Sequence, residues 1–245
     1  MKRLVATHSQ HFLRSPAFIA ELIGHSNVRK NDIVIDIGAG SGAITAVLAR
    51  RVRAVLAYES EPRALQLLEK NMARHANVTV VGKDFLSADL LGEPYKVFAN
   101  IPFHLSSQIV RKLVLSRTPP KAIYLIVQKQ FAQKMIVEGS HFHGALGVGI
   151  APWWSVRIRR PLRKTDFTPP PAVDAVLLEL KPRENSLLPR GEMERYINFV
   201  ATCYADPRAY AKTTAPRGLK PSQLSLNQWI VVYRARKRSH KENIS

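Results

Sequence analysis

The chain has 245 residues, enough for one large domain with an appendage or for two small domains. Apolar residues make up 46% of the chain and charged residues 22%, which is typical of a globular protein and excludes a disordered one. Lys and Arg total 37 against 18 Asp and Glu, a net charge of +19, so we expect a polyanionic partner, nucleic acid before a membrane surface.

The compartment can also be predicted from composition. The single cysteine, Cys203, allows no internal disulfide and fits a reducing cytosol. It lies in an apolar helical pattern, so we expect it to be buried and inert. No long apolar run follows the basic residues 1–8, and no stretch approaches the roughly 20 apolar residues of a membrane span. We therefore expect a cytoplasmic protein.

Short apolar runs alternate with amphipathic segments of helical length between residues 32 and 138. Strands are predicted at 32–36, 54–58, 78–81, 96–99 and 122–127, and helices at 43–51, 62–73, 106–115 and about 130–138. This alternation predicts an α/β fold with a mostly parallel, doubly wound sheet of Rossmann type. The apolar runs are continuous, as in strands that are covered on both faces.

The pattern changes near residue 150. An alternating strand is predicted at 155–159, with an antiparallel partner at 174–180, and the stiff, proline-rich loop 167–171 lies between them. Residues 181–186 are a predicted linker, and helices follow at 192–204 and about 226–236. We predict a catalytic domain over residues 1–183 and a small helical RNA-binding domain over residues 184–245.

Glycines follow the first predicted strand, at Gly38, Gly40 and Gly42. Glycine at a turn from strand to helix permits positive φ and lets a ligand approach the backbone. The same segment also matches the dinucleotide pattern, because Gly38 and Gly40 are followed by Ala43. Asp36, two residues before Gly38, favours a methyl-donor site over a nicotinamide site.

Carboxylates follow the next two predicted strands. Glu59 ends the second strand, where an acid can accept both ribose hydroxyls of a nucleoside. Asp84 lies just past the third strand and can accept an adenine amino group. Either acid alone could be a solvated loop residue, but the two acids together with the glycines favour a nucleoside-binding site.

The turn from Asn100 to Phe103 follows the fourth predicted strand. Asn100 offers a carbonyl and an amide, Pro102 stiffens the turn, and Phe103 adds a flat apolar face. An exocyclic amino group of a base needs such surroundings. The competing interpretation is a proline turn with a core phenylalanine.

Basic residues form two clusters near the chain's C-terminal half. The first contains Arg157, Arg159, Arg160, Arg163 and Lys164, and the second Arg234, Arg236, Lys237 and Arg238. With Lys129 and Lys134 near the end of the fifth strand, we interpret them as RNA contacts rather than a solvated face. His104, His141 and His143 lack metal-ligand spacing, so no metal is predicted. Trp153 and Trp154 are predicted to pack internally.

These motifs together resemble the rRNA adenine N6-methyltransferases, which include the Erm antibiotic-resistance enzymes and the KsgA-type small-subunit dimethylases. The motifs are residues 10–13, Gly38-x-Gly40-x-Gly42, Glu59, Asp84, residues 100–103 and residues 167–174, and the resemblance spans roughly residues 8–180. The Ile at position 101 resembles the motif of the Erm branch, because members of the KsgA branch usually have Leu at this position. The chain differs from the family at His11, where many members have Asn, and at Pro170 and Ala172, where relatives often have Lys. These differences affect substrate recognition more than the chemistry of the reaction.

The resemblance implies a fold, a cofactor and a role for each site residue. The fold is the Rossmann-like sheet of S-adenosylmethionine-dependent methyltransferases with a small C-terminal helical domain. Gln10, His11 and Leu13 would close over the methionine end of S-adenosylmethionine. Gly38 and Gly40 would pass beneath the donor. Glu59 would bind its ribose, and Asp84 and Phe85 would bind its adenine. The target base would contact the turn formed by Asn100, Ile101, Pro102 and Phe103. Asn100 would also contact the donor. Phe103 would stack on the flipped adenine, and Phe167 would flank that adenine.

The implied activity is methylation of an adenine in 23S rRNA, free or precursor, by a monomeric Erm-type enzyme. A close alternative is a KsgA-type enzyme that acts on small-subunit rRNA. A second alternative is a catalytically idle RNA-binding factor on the same fold. A nicotinamide dehydrogenase is the third, and it leaves residues 100–103 and the excess of basic residues unexplained.

Overall fold

A computed structural model of the chain describes residues 12–13, 15–137 and 142–242. The helices and strands, in chain order, are β1 (Phe12–Leu13), α1 (Pro16–Gly24), β2 (Ile33–Ile37), α2 (Ala43–Ala49), β3 (Ala54–Tyr58), α3 (Pro62–Met72), β4 (Val78–Val81), β5 (Lys96–Asn100), α4 (Ser106–Leu115), β6 (Ile123–Gln128), α5 (Lys129–Met135), α6 (Ala145–Ile150), β7 (Trp154–Leu162), β8 (Phe167–Thr168), β9 (Ala175–Pro182), α7 (Met193–Ala205), α8 (Pro207–Ala211) and α9 (Leu226–Glu242). The predicted α/β class is confirmed.

A seven-stranded sheet organises the fold, in the order β4-β3-β2-β5-β6-β9-β7. The five strands β4, β3, β2, β5 and β6 are parallel, and β9 pairs antiparallel with β6. Ser155 donates to the Lys181 carbonyl and Arg157 pairs with Glu179, so β7 runs antiparallel to β9. The carboxyl ends of the parallel strands therefore meet at one edge of the sheet, where α/β folds bind ligands.

The predicted strands follow from buried apolar runs. Every residue of β2 is buried, and β6 is buried along Ile123–Val127. The predicted bounds of β3, β4 and α4 match the structure, and the other predicted bounds differ by up to three residues, except that α9 continues to Glu242, beyond its predicted end near residue 236. Helices α1, α6 and α8 were not predicted, and Lys181 and Pro182, assigned to the linker, belong to β9.

The chain forms two compact units. The first holds the described residues up to Lys129 together with Arg157–Leu180, and the second holds those of Gln130–Val156 and from Lys181 onward. The predicted division at residues 183 and 184 differs from this one in the placement of residues 181–183 and of the described residues among 130–156, which group with the C-terminal helices. That the second unit binds RNA stays a prediction.

Aromatic packing organises the second unit. Trp153 and Trp154 are buried, as predicted, and Trp153 meets Tyr196 edge-on at a centroid distance of 5.7 Å. Cys203 is also buried as predicted, and burial raises the pKa of its thiol to about 11, which keeps the thiol protonated and unreactive. Among the helices of the described ranges, we find none with the length and apolar character needed to span a membrane.

Candidate active site

A pocket opens at the carboxyl ends of β2, β3, β4 and β5, in the first compact unit. The predicted site residues that line it are Leu13, Gly38, Gly40, Glu59, Asp84, Phe85, Asn100, Ile101, Pro102 and Phe103. Asp36 lines it as well. Residues from five of the six predicted motifs therefore converge on one pocket. Four of these motifs follow parallel strands, which bring their carboxyl ends together, and the fifth contributes Leu13 of β1.

The glycine turn between β2 and α2 adopts the conformation that the sequence predicts. Gly38, Gly40 and Gly42 have φ angles of 67°, 58° and 92°. A Cβ atom at Gly42 would lie 2.9 Å from Leu68 Cδ1, so a side chain there would be both strained and crowded. A Cβ atom at Gly38 would lie 3.5 Å from Pro102 Cδ. The glycine turn thus lies directly against the turn that follows β5.

Glu59 ties the glycine turn to β3. One carboxylate oxygen accepts a hydrogen bond from Gly40 N at 2.8 Å, and the other accepts from Ser60 N at 2.8 Å and Glu61 N at 2.9 Å. A carboxylate offers about four acceptor sites. Because three are in use, two ribose hydroxyls can be accepted only if a backbone bond is shared or replaced. Sequence reasoning missed this scaffolding role, and ribose binding stays a prediction.

Asp36 is a buried acid at the floor of the pocket. One of its oxygens accepts from Thr45 Oγ1 at 2.7 Å, and the other has no hydrogen-bond partner among the described residues. Burial raises its pKa to about 7, and the nearby Glu59 adds to this effect, while the Thr45 hydrogen bond opposes it. The protonated and the charged form of Asp36 are therefore both populated near neutral pH.

We expect Asp36 to make stability depend on pH. Its pKa is raised on folding from 3.8 to about 7, so the folded protein binds the proton more tightly than the unfolded chain. The resulting stability is present below about pH 4 and is lost as pH rises through about 7, by up to about 4 kcal/mol, since one pKa unit corresponds to about 1.4 kcal/mol. Urea unfolding from pH 5 to 8 should give a flatter profile for Asp36→Asn than for wild type. The exposed Asp89→Asn variant is the control, and identical profiles for all three would contradict the assignment.

Asp84 and Phe85 lie in the loop between β4 and β5. Asp84 Oδ1 accepts from Leu86 N at 3.0 Å, and the residue is exposed. The buried Phe85 ring meets Tyr58 edge-on at 5.3 Å. An exposed carboxylate beside an aromatic wall is compatible with adenine binding, which stays a prediction. Tyr58 is a wall residue that sequence reasoning missed, although it ends a predicted strand.

The turn after β5 borders the same pocket. Asn100 is the last residue of β5, where it pairs with Ile126 of β6. Ile101 is buried, and Ser106 Oγ donates to the Phe103 carbonyl at 2.7 Å where α4 begins. Phe103 is half-buried: it packs against the core and also lines the pocket. Its position is compatible with both the stacking and the packing interpretation.

Phe167 is placed differently from the expectation. It is fully buried in the core, pairs with Leu13 across the two-stranded sheet of β8 and β1, and is outside the set of described residues that line the pocket. Flanking the target base would require this segment to move, and the role stays a prediction.

Leu13 is buried at the pocket wall, and Gln10 and His11 lie outside the described residues.

The first basic cluster makes local contacts that the sequence did not reveal. Arg157 and Arg159 contact Glu179, at 4.0 Å for Arg159, and Arg159 Nε donates to the His25 carbonyl at 2.9 Å. Arg160 pairs with Glu21 and lies 5.6 Å from the Phe18 ring centroid. These three arginines therefore hold β7 to β9 and α1, and their contact with RNA stays a prediction.

The other basic residues are more accessible. The Arg163 side chain is 80% exposed and pairs with Asp166 at 3.3 Å, whereas Lys164 donates to the Ala172 carbonyl. Lys129 and Lys134 are exposed, and neither is among the described residues that line the pocket. In the second cluster, Arg234 and Arg236 are exposed, and the side chains of Lys237 and Arg238 lie outside the described residues.

The described residues contain no group of three or more His, Cys, Asp or Glu side chains that could hold a metal ion. His104 is exposed in the short helical turn at Phe103–Leu105, and His143 is buried in the second unit. His141 lies outside the described residues.

Comparison with known proteins identifies the family. The model of the ribosomal RNA adenine dimethylase family matches residues 1–213. A ribosomal RNA small subunit methyltransferase A from Levilactobacillus brevis is 30% identical over 218 residues, which are 84% of this chain and 74% of the relative. The crystal structure of the 23S rRNA methyltransferase ErmE superposes with a TM-score of 0.76 at 26% identity, covering 91% of this chain and 98% of ErmE. A dimethyladenosine transferase from Plasmodium falciparum gives a TM-score of 0.70 at 27% identity, covering 80% of this chain and 71% of the transferase.

The fold and the family match define an rRNA adenine methyltransferase, and the chain belongs to the ribosomal RNA adenine dimethylase family. The family implies S-adenosylmethionine as the methyl donor. The pocket fits that group, because the glycine turn leaves room for a ligand at the backbone, and a buried carboxylate, Glu59, stands at the end of β3. Asp36 also lines the pocket, and one of its oxygens has no hydrogen-bond partner among the described residues.

Proposed function

We propose that this protein transfers a methyl group from S-adenosylmethionine to the N6 amino group of a specific adenine in 23S rRNA, and that it thereby confers resistance to macrolide-type antibiotics. The observation that carries the proposal is the likeness to ErmE, with a TM-score of 0.76 over 91% of this chain. Ile101 supports it, because Ile at this position of the turn resembles the Erm branch.

The proposed chemistry depends on positioning. An adenine N6 nitrogen is a poor nucleophile, because its lone pair is delocalised into the ring. Hydrogen bonds from its two protons to Asn100 and a turn carbonyl would favour a pyramidal, more nucleophilic nitrogen. The donor would supply an already activated methyl group: the bond from N6 to the methyl carbon would form as the sulfur–methyl bond breaks, with S-adenosylhomocysteine as the leaving group. The methylated nitrogen would then be cationic and acidic enough to lose a proton to water, so no strong base is needed, and orientation by the turn can contribute about 7–11 kcal/mol in favourable cases. The target base is unreachable while stacked and must be flipped out or presented by a loop.

A KsgA-type activity on small-subunit rRNA is the second candidate, favoured by the 30% identity to the Levilactobacillus brevis small-subunit enzyme. Incubation with labelled donor and equal amounts of protein-free 23S or 16S rRNA, and with small subunits, separates the two. We expect label in 23S rRNA at one adenine, located by nuclease digestion to oligonucleotides and mass spectrometry. Label confined to 16S rRNA or to small subunits would overturn the 23S assignment in favour of the second candidate.

We expect RNA binding to weaken steeply with salt. Each phosphate contact contributes about 0.7–0.9 to the slope of log K against log salt, so five or more contacts give a slope of at least about 3.5. Arg163→Ala should reduce the slope by about 0.7–0.9 and leave donor affinity unchanged. Arg163 is preferred to Arg159 or Arg160 because those residues also hold α1.

Arg53→Ala is the matched control for this prediction. Arg53 is likewise exposed and paired with an acid, Glu93 at 3.1 Å, but it precedes β3, at the end of the sheet opposite the pocket. Filter binding at several salt concentrations should give the wild-type slope for Arg53→Ala. Equal slopes for all three proteins would contradict a role of Arg163 in RNA binding.

We further propose that the protein acts as a monomer on free or precursor rRNA.

A further inference from the structure

Lys112 of α4 contacts the loop between β4 and β5, which carries Asp84 and Phe85. Lys112 Nζ donates hydrogen bonds to the Leu86 carbonyl at 2.9 Å and to the Ala88 carbonyl. The ammonium group also lies 5.4 Å from the centroid of the Phe85 ring, within the range of a cation–π interaction. Lys112 is half-buried and is outside the set of described residues that line the pocket.

These contacts connect Lys112 to the Asp84 carboxylate through one residue. Leu86 accepts from Lys112 with its carbonyl and donates to Asp84 Oδ1 with its N–H at 3.0 Å. Hydrogen bonds from a charged donor are stronger than neutral ones, so the ammonium fixes the Leu86 backbone. The direction of the Asp84 carboxylate then depends on Lys112, and so does the position of the Phe85 ring.

Helix α4 supports two sides of the pocket. It begins directly after the turn at Asn100–Phe103, where Ser106 Oγ donates to the Phe103 carbonyl at 2.7 Å. Ile109 lines the pocket one turn further on, and Lys112 follows on the same helix. One rigid element therefore places both the turn proposed for the target base and the loop proposed for the donor's adenine.

We propose that Lys112 is a positioning residue for donor recognition, which orients Asp84 and Phe85 toward the adenine of S-adenosylmethionine. The inference deepens the proposed function and rests on its donor site. It predicts that Lys112 governs discrimination at the adenine amino group, a property that general destabilisation of the fold does not change.

The test compares Lys112→Met, Lys112→Arg and Lys121→Met with wild type. Lys121 is exposed, and it bonds the Tyr95 carbonyl through its backbone N–H, which the substitution keeps. Calorimetry gives the Kd of S-adenosylhomocysteine and of S-inosylhomocysteine, which has an oxo group in place of the amino group. Lys112→Met should weaken the first ligand about tenfold, a loss of about 1.4 kcal/mol, and should bring the two Kd values closer together.

Lys112→Arg should keep most of the discrimination, and Lys121→Met should match wild type. If Lys112→Met keeps the wild-type ratio of the two Kd values, the inference is overturned, even if its melting temperature falls. If Lys112→Met does not fold, Lys112→Gln is measured in the same way, since it keeps a donor but loses the charge. If wild type itself binds neither ligand, the proposed donor site is wrong, and the inference falls with it.

Discussion

Replacing Glu59 with Ala is expected to weaken binding of S-adenosylmethionine by about 2–3 kcal/mol, because hydrogen bonds to a charged group are worth about 1.5–3 kcal/mol each. The variant loses the proposed ribose acceptor, and it also leaves the N–H groups of Gly40, Ser60 and Glu61 without their carboxylate. We therefore expect a lower melting temperature as well. Calorimetry at a temperature where both proteins are folded measures the loss of affinity.

A donor lacking one ribose hydroxyl separates ribose binding from scaffolding. Wild type should bind the 2′-deoxy analogue of S-adenosylhomocysteine more weakly than the parent compound, and Glu59→Ala should bind the two equally. Glu93→Ala, an exposed acid outside the pocket, should behave like wild type. Unchanged affinity in Glu59→Ala would move the donor site elsewhere, and an undiminished preference for the parent compound would limit Glu59 to holding the glycine turn.

Replacing Phe103 with Leu is expected to lower methyl transfer by one to two orders of magnitude. Stacking of a base on an aromatic ring is worth about 1–3 kcal/mol, and about 1.4 kcal/mol corresponds to a factor of ten in rate. Leu keeps the apolar bulk but removes the flat face, whereas Phe103→Tyr keeps the face and should retain most activity. Donor affinity and melting temperature should change little in either variant, because the side chain is only half-buried.

The packing interpretation of Phe103 predicts the opposite pattern. A core phenylalanine tolerates Leu, while Tyr is destabilising if its hydroxyl is buried without a partner. Single-turnover methylation and melting temperature of the two variants therefore distinguish the two roles. Wild-type activity in Phe103→Leu would show that the ring is not the platform for the base.

Local sequence patterns predicted most of the sheet and the glycine turn. Strand β3 is a continuous apolar run bounded by Arg53 and Glu59, and β4 is rich in valine with Thr79 as its one polar residue; the predicted bounds of both match the structure. Helix α1 was not predicted, although its sequence contains features typical of a helix. Ser15 is an N-cap residue, Pro16 stands in the first turn, and Ile19, Leu22 and Ile23 form one buried face. The site residues at strand ends were predictable because a parallel sheet places all carboxyl ends at one edge.

Contacts between distant parts of the chain were not predictable. The acids that pair with Arg157, Arg159 and Arg160, namely Glu21 and Glu179, lie far from these arginines in sequence. Sequence patterns therefore did not indicate that these three charges are used within the fold. Helix α6 joins the C-terminal helices through a close approach: a Cβ atom at Gly149 would lie 3.3 Å from Ile197 Cγ1 of α7. Helices α5 and α6 approach each other closely as well, since a Cβ atom at Gly147 would lie 2.5 Å from the Lys134 carbonyl oxygen. No local pattern reveals such approaches, since they depend on where two helices cross.

The nucleoside that receives the methyl group tests the central claim most directly. Wild-type protein is incubated with S-adenosylmethionine labelled in its methyl group and with protein-free rRNA, the RNA is digested to nucleosides, and the label is identified by chromatography and mass spectrometry. The account predicts that the label is recovered as N6-methylated adenosine, with one or two methyl groups. Label on another base, on the ribose or at another adenine atom would contradict it.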